Sequence, residues 1–391
     1  MKRETLYAYA SRGLVRSVVA PPGARGHLYL RDDLERLRAR RDARAGHGPV
    51  AAAALKWGEP VLSSAITRLD ATGPAYRGVP ATRLAAEGAP FESVAELLWT
   101  AVTPAARPSW PRLGRGLLGR VAAQVPRGTA PLQAMLLVAP ALGARDPARV
   151  HLADELERER ARALIAALAA TMGAGLGAAV VEGATIAALV LGALGVARPS
   201  PRALALVELA LVLSADQELN ASTFAARVAA SAGADLYASV TAALATMTGP
   251  LHGGAADRVE ALLDEIDRPA RARAVVTARA ARGEALPGFG HTLYRDGDPR
   301  AQPLLDGAEA VGGRRRGLAV LLALVDAVRA TRGEAPTLDL GLVAVAAALG
   351  LPPGGAAALF AVGRAAGWVA HIAEQCAQGF LLRPRAHYVG P

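Results

Sequence analysis

The interior of this chain has to be assembled from alanine, leucine and valine. Hydrophobic residues make up 52% of it, yet aromatic residues only 4%. Alanine is the best helix former, and its lone methyl does little to hold helices apart. Long Ala/Leu/Val stretches with scattered arginines therefore predict close-packed helices, and convincing alternating strand patterns are scarce. The expectation is an all-α protein whose 391 residues suffice for two or three domains and a sizeable core.

The formal charge of +10 is unevenly placed. Residues 1–45 hold 11 Lys or Arg against 5 Asp or Glu, a local +6 that leaves +4 for the rest. Two readings fit this excess: a basic module that meets nucleic acid, or a solvated arginine-rich helix. Cys376 is the sole cysteine, so no intramolecular disulfide forms. No histidine or cysteine cluster has zinc spacing, and no metal is expected. The N-terminal MKRETLYAYASRGLVRS lacks the apolar core of a signal peptide, which points to the cytoplasm. Residues 163–181 are uncharged over a length that spans a bilayer. That run is mostly Ala and Gly, which insert weakly, and Glu182 closes it, so a buried helix pair and no membrane are expected.

Residues 1–45 read as a separate unit. RETLYAYASRGLV forms a short helix ending at Gly13, a residue suited to a left-handed cap. VRSVVA, the turn-rich PPGARG and HLYLR make a small hairpin or wing. Asp32 or Asp33 then caps a helix over DDLERLRARRDARA, and residues 46–49 form a linker. This order resembles the recognition helix, wing and following helix of the MerR/excisionase winged helix-turn-helix, without the element that precedes them. The resemblance implies DNA as a partner for residues 1–45. From residue 50 onward helical runs alternate with Gly/Pro breaks, and no internal repeat is evident. Glycines 173, 175 and 177 do not fit the dinucleotide-binding spacing, and no strand precedes them.

Three places in the second half concentrate polar residues among glycine breaks: SADQELNAST with MTGPLHGGAADRV, then LPGFGHTLYRDGDPRA, then PTLDLGL with the segments after it. They supply two glycine-hinged histidines, a carboxylate in an apolar setting and several arginines. A histidine after Gly-Pro at a helix N-terminus is held neutral, because the dipole disfavours imidazolium, and it donates to a developing oxyanion. An aspartate among leucines gains basicity through desolvation. Planar guanidinium groups suit carboxylates and phosphates. Together they suggest carbanion or enolate chemistry on an anionic substrate.

ADQELNASTFAARV, GPLHGGA, GFGHTLYRDGDPRA, GRAAGWVAHIAEQ and RPRAHYVGP closely resemble, in order, the signature segments of citrate synthases. The resemblance spans roughly residues 50–391. It implies a two-domain helical fold, with a large domain over 50–224 and 330–391, a small domain over 225–329, an active site in the cleft and an obligate homodimer. It implies condensation of acetyl-CoA or propionyl-CoA with oxaloacetate to citrate or 2-methylcitrate, with no cofactor. By the same resemblance Asp339 is the base that removes the α-proton of the thioester, and His252 stabilises the enolate oxygen. Ser222 orients His252, and His291 polarises the 2-oxo carbonyl. Gln217, Asn220, Arg300, Arg364 and Arg383 bind the 2-oxo acid, Arg383 entering from the partner subunit. Arg295 meets a CoA phosphate, and the loop Leu286, Pro287, Gly288, Phe289, Gly290 surrounds the adenine.

The chain departs from the family pattern at three points. Gln217 stands where the family usually has His in ADHELN, and a carboxamide donates a hydrogen bond without carrying charge. That substitution weakens oxaloacetate binding or shifts preference to another 2-oxo acid. TLDLGLVA lacks the aromatic and Ser-Gly residues common after the catalytic Asp, and Ala256 replaces a frequent Asn. An alternative built on the same features is a metabolite-sensing DNA-binding regulator.

Overall fold

The computed structural model describes residues 62–110, 114–150, 154–173, 184–294 and 296–384, together with 6, 10, 15, 17–19, 27–30, 33, 386, 388 and 390. The chain divides into two compact units, one of residues 1–63 and 383–391, the other Ser64–Leu382. In the first unit, β1 (Ser17–Val19) and β2 (His27–Tyr29) pair antiparallel, Val18 opposite Leu28. The helices expected on either side of that pair, and the linker 46–49, lie largely outside the described residues, as do 174–183 of the uncharged run.

The second unit opens with a small antiparallel sheet that the sequence pattern did not suggest. It comprises β3 (Thr67–Asp70), β4 (Gly73–Tyr76) and β5 (Val79–Pro80) in that order. Helices follow: α1 (Ala81–Ala86), α2 (Phe91–Thr100), α3 (Arg115–Ala122), α4 (Pro131–Gly143) and α5 (Asp154–Thr171). Next come α6 (Ile186–Ala193), α7 (Pro201–Ser214), α8 (Ala221–Ser231), α9 (Leu236–Met247) and α10 (Ala255–Ile266). The last are α11 (Ala272–Ala281), α12 (Ala301–Gly312), α13 (Arg316–Arg332), α14 (Leu338–Leu349) and α15 (Gly355–Gln378). Polar caps start several of them: Ser200, Asn220 and Asp235 each accept from the backbone amide three residues on, which satisfies a donor the helix leaves open.

α15 runs through the core and packs on α2, α4, α5, α7, α8, α9 and α14. It is long and apolar enough to cross a membrane, but 94% of its apolar window is buried inside the protein. Its approach to α7 is closer than a side chain permits. A Cβ on Gly363 would lie 2.8 Å from the Leu211 carbonyl oxygen, and one on Gly367 would lie 2.2 Å from Asp216 Oδ1. Glycines one turn apart leave a groove, and the Gly367 amide donates across it to the Ala215 carbonyl at 3.0 Å.

Below these glycines one face of α15 carries four buried polar or aromatic side chains: Arg364, Trp368, His371 and Gln375. Each has its own partner. Arg364 Nε donates to the Ser214 carbonyl, Trp368 Nε1 to Ser222 Oγ, His371 Nε2 meets Asp216 Oδ2, and Gln375 Oε1 accepts from Arg227 Nε. The small sheet closes on the same place. The Tyr76 hydroxyl donates to the Val212 carbonyl at 3.0 Å and accepts from the Asp216 amide at 3.3 Å, so burial pushes its ionisation far upward.

Candidate active site

The loop after α7 carries the first group. Asp216 is buried, and its Oδ2 accepts the Glu218 amide at 3.0 Å and faces His371 Nε2 at 3.3 Å. Glu218 sits at φ 52°, the left-handed region that non-glycine residues enter rarely. This tight turn aims Gln217 at Arg300, whose Nη1 donates to Gln217 Oε1, while Gln217 Nε2 donates to the Tyr294 hydroxyl at 3.4 Å. Asn220 follows as the cap of α8. Its Oδ1 accepts the Thr223 amide at 3.0 Å, and its Nδ2 is buried with no partner inside the protein.

Ser222, in the first turn of α8 and fully buried, joins three elements through one hydroxyl. It accepts from Trp368 Nε1 at 3.1 Å, meets His252 Nε2 at 2.7 Å and donates toward Asn220 Oδ1 at 2.9 Å. His252 therefore has Nε2 committed and Nδ1 left for a substrate. Its ring stands edge-on to Phe360 at 5.8 Å, and the Arg364 guanidinium covers that same phenyl ring at 4.7 Å. Burial first, and the Arg364 charge second, push the His252 pKa down to about 4. The neutral histidine expected before α10 is present, but burial and a helix more than a hundred residues away produce it.

His291, Arg300 and Asp339 form the second group, on two segments tied together by backbone. Gly288 and Gly290 pair with the strand-like stretch before α14: the Thr337 amide donates to the Gly288 carbonyl at 2.9 Å, and Gly290 to Ala335 at 3.0 Å. Gly288 has φ +86°, and a Cβ there would lie 3.0 Å from the Leu340 side chain. Leu286 and Phe289 are buried, so this loop is fixed to the helix that bears Asp339. His291 Nδ1 accepts the Leu293 amide at 3.1 Å, which places the proton of the neutral ring on Nε2. Its ring lies on Tyr294, centroids 4.6 Å apart, and its pKa is lowered, chiefly by burial.

Asp339 occupies the first turn of α14, with Thr337 Oγ1 3.5 Å from its Oδ2. Burial raises its pKa to about 6; Arg300 opposes that shift, Asp298 adds to it, and Arg364 also opposes it. Both arginines therefore act electrostatically on the Asp339 carboxylate. Arg300, 2% exposed, is gripped by Asp298: Nε and Nη2 donate to its two oxygens at 2.9 and 2.8 Å. Arg364, 1% exposed, keeps Nη1 without a partner, and burial lowers its pKa to about 10.

Of the residues named from sequence, the structure thus links His252, His291, Asp339, Gln217, Asn220, Ser222, Arg300 and Arg364 into one network. The Leu286–Gly290 loop adjoins it. Arg295 lies outside the described residues, and Arg383 is an exposed residue of the other unit. Sequence reasoning missed Asp298, Tyr294, Trp368 and the Asp216–His371 pair. Asp298 had a local signal, a carboxylate two residues before the arginine it holds. Among the described residues no group of three or more His, Cys, Asp or Glu is placed to hold a metal.

The family model for the citrate synthase C-terminal domain matches residues 54–385. The chain belongs to the citrate synthase family. It is 43% identical over 198 residues to a putative citrate synthase 2 of Mycobacterium bovis, an alignment covering 49% of this chain and 53% of that relative. Citrate synthase 2 of Bacillus subtilis is 38% identical over 196 residues, with the same shares. The chain thus spans about half the length of these curated relatives. A 2-methylcitrate synthase of Mycobacterium tuberculosis is 33% identical over 340 residues, 81% of this chain and 84% of that one. Among solved structures, the citrate synthase of Thermoplasma acidophilum, in ternary complex with carboxymethyl coenzyme A and oxaloacetate, superposes with a TM-score of 0.75. It is 27% identical and covers 85% of this chain and 94% of that one. That of Thermotoga maritima gives 0.70 at the same identity.

Proposed function

We propose that the protein condenses acetyl-CoA or propionyl-CoA with oxaloacetate, releasing CoA and citrate or 2-methylcitrate. One observation carries the reading: a carboxylate of raised basicity, Asp339, shares a site with two neutral histidines and two buried arginines. Asp339 removes the α-proton of the thioester, and a pKa near the working pH suits that task. His252 donates from Nδ1 to the enolate oxygen. That requires Ser222 to turn its one proton to Nε2, 2.7 Å away, instead of to Asn220. The enolate carbon attacks the 2-oxo carbonyl while His291 gives its Nε2 proton to the carbonyl oxygen. Water then cleaves the thioester, and CoA leaves.

Arg364 Nη1 and Asn220 Nδ2, both buried donors without partners, suit a substrate carboxylate. A buried donor left empty costs stability, so an anion there restores what folding gave up. We further read the enzyme as a cofactor-independent, cytoplasmic homodimer with the large and small domains given above. Arg383 is then contributed by the partner subunit, and Arg295 and the Leu286–Gly290 loop hold CoA. The +6 charge of residues 1–45 supports DNA as a partner, through affinity that falls steeply with salt in a duplex-binding titration.

The deciding experiment follows CoA thiol release from acetyl-CoA and propionyl-CoA in the presence of oxaloacetate, with Asp339→Asn and His252→Ala as controls. Release that needs both substrates and vanishes in the controls supports the synthase. No release with either thioester rejects it.

A further inference from the structure

The two buried arginines of the site are in different states. Arg364 Nη1 has no partner, whereas each guanidinium nitrogen of Arg300 already donates inside the protein: Nε and Nη2 to Asp298, Nη1 to Gln217. A guanidinium only donates, so the atom Gln217 presents to it is the carboxamide oxygen. The carboxamide nitrogen then faces the Tyr294 hydroxyl at 3.4 Å. Tyr294 is itself fixed, 3% exposed, with its ring against His291 at 4.6 Å and under the Arg300 guanidinium at 5.6 Å. Gln217 is thus held at both ends, with an acceptor where an anionic substrate would bring its own.

We propose that Gln217 is an internal competitor for Arg300: its carboxamide oxygen takes one of the two Nη1 hydrogens and so holds the edge of the guanidinium that a 2-oxo acid's carboxylate would take. Residue 217 then sets affinity for the 2-oxo acid by how firmly it holds that guanidinium. The inference rests on the 2-oxo acid reading above and deepens it. A carboxylate is a stronger acceptor for guanidinium than an amide, so a dicarboxylic substrate displaces Gln217. A monocarboxylic 2-oxo acid, held through Arg364 alone, leaves it in place. Gln217 therefore narrows the preference for dicarboxylic over monocarboxylic substrates.

Removing the competitor and strengthening it should have opposite effects. Gln217→Ala is expected to lower the KM for oxaloacetate about ten- to a hundredfold, the worth of one hydrogen bond to a charged group. Gln217→Glu, which sets a full ion pair against Arg300, is expected to raise it more than about tenfold, while the KM for pyruvate moves little in either variant. If Gln217 instead touches the substrate, Gln217→Ala raises the oxaloacetate KM, and that result overturns the proposal. Protection from thermal unfolding by oxaloacetate alone, measured on wild type and both variants, separates this question from turnover. A chain that releases no CoA removes the proposed function, yet protection ranked Ala above Gln above Glu still supports the competitor. Any other ranking, or no protection in all three, refutes it.

Discussion

Asp298 grips Arg300 through both carboxylate oxygens, and the same Oδ2 accepts the Leu338 amide at 3.1 Å, one residue before Asp339. The proposed substrate clamp and the start of the helix that bears the proposed base therefore share one buried anchor. In Asp298→Asn the Arg300 charge stays buried without its partner. Unfolding free energy should fall by about 3 kcal/mol or more, read from urea midpoints, with the KM for the 2-oxo acid rising at least about tenfold.

In the proposed reaction, Asp339 sets the acid limb. With its pKa at about 6, kcat/KM for the acyl-CoA should fall below an apparent pKa near that value, since the protonated acid takes no α-proton. Stability follows the opposite course. The folded chain holds this proton more tightly than the unfolded one, whose ordinary value is 3.8, so stability drops as pH rises from 3.8 to about 6 and stays low above. Asp339→Asn should be inactive yet melt a few degrees higher than wild type at pH 8, a gain that disappears at pH 4.

His252 behaves in the reverse sense. Its folded pKa of about 4 lies below the ordinary 6.5, so the stability from keeping it neutral is full above pH 6.5 and lost as pH falls toward 4. Melting curves of His252→Gln should show a smaller loss between pH 7 and pH 5 than wild type. Equal losses would assign the acid sensitivity elsewhere.

Ser222→Ala tests the orientation of that ring. It removes the hydroxyl between His252 and Trp368 and strands the indole N–H, 3.1 Å from where the oxygen was. Stability should fall by about 1–3 kcal/mol. kcat should fall about 10- to 100-fold with a smaller change in KM, because an unoriented imidazole binds substrate without supporting the enolate.

Gly288→Ala probes the link between the loop and the base. A Cβ at φ +86° is strained, and it would press on Leu340, next to Asp339. We expect a loss of about 1–3 kcal/mol and a joint effect on acyl-CoA KM and kcat. A change in KM alone would mean that the loop and Asp339 act separately.

Some of this site was legible in the sequence for physical reasons. Asp339 lies among leucines, so its raised basicity follows from local composition, and the glycines flanking His252 and His291 mark where the chain turns tightly. What was not legible depends on residues far apart in the chain. The His252 shift comes from burial by distant helices with Arg364 adding to it, Ser222 Oγ is shared with Trp368, and Gln217 is defined by Tyr294 and Arg300. The sheet over 67–80 was hidden as well, because its strands are two to four residues long and Tyr76 gains its role only against Asp216 and Val212. Helix content followed from alanine and leucine, whereas the closeness of α7 and α15 depends on where two glycines fall.

The stripe on α15 has a consequence for how this protein can change over time. Arg364, Trp368, His371 and Gln375 follow one another at steps of four, three and four residues, which keeps them on one face of the helix. Inserting or deleting a single residue after Arg364 would turn the remaining three by about 100°. Ser222, Asp216 and Arg227 would lose their partners in one mutational event. Substitutions along this helix can be tried one at a time, but its length between 364 and 375 behaves as a reading frame. Variation in chain length among homologues is therefore expected in the loops, and not within those twelve positions.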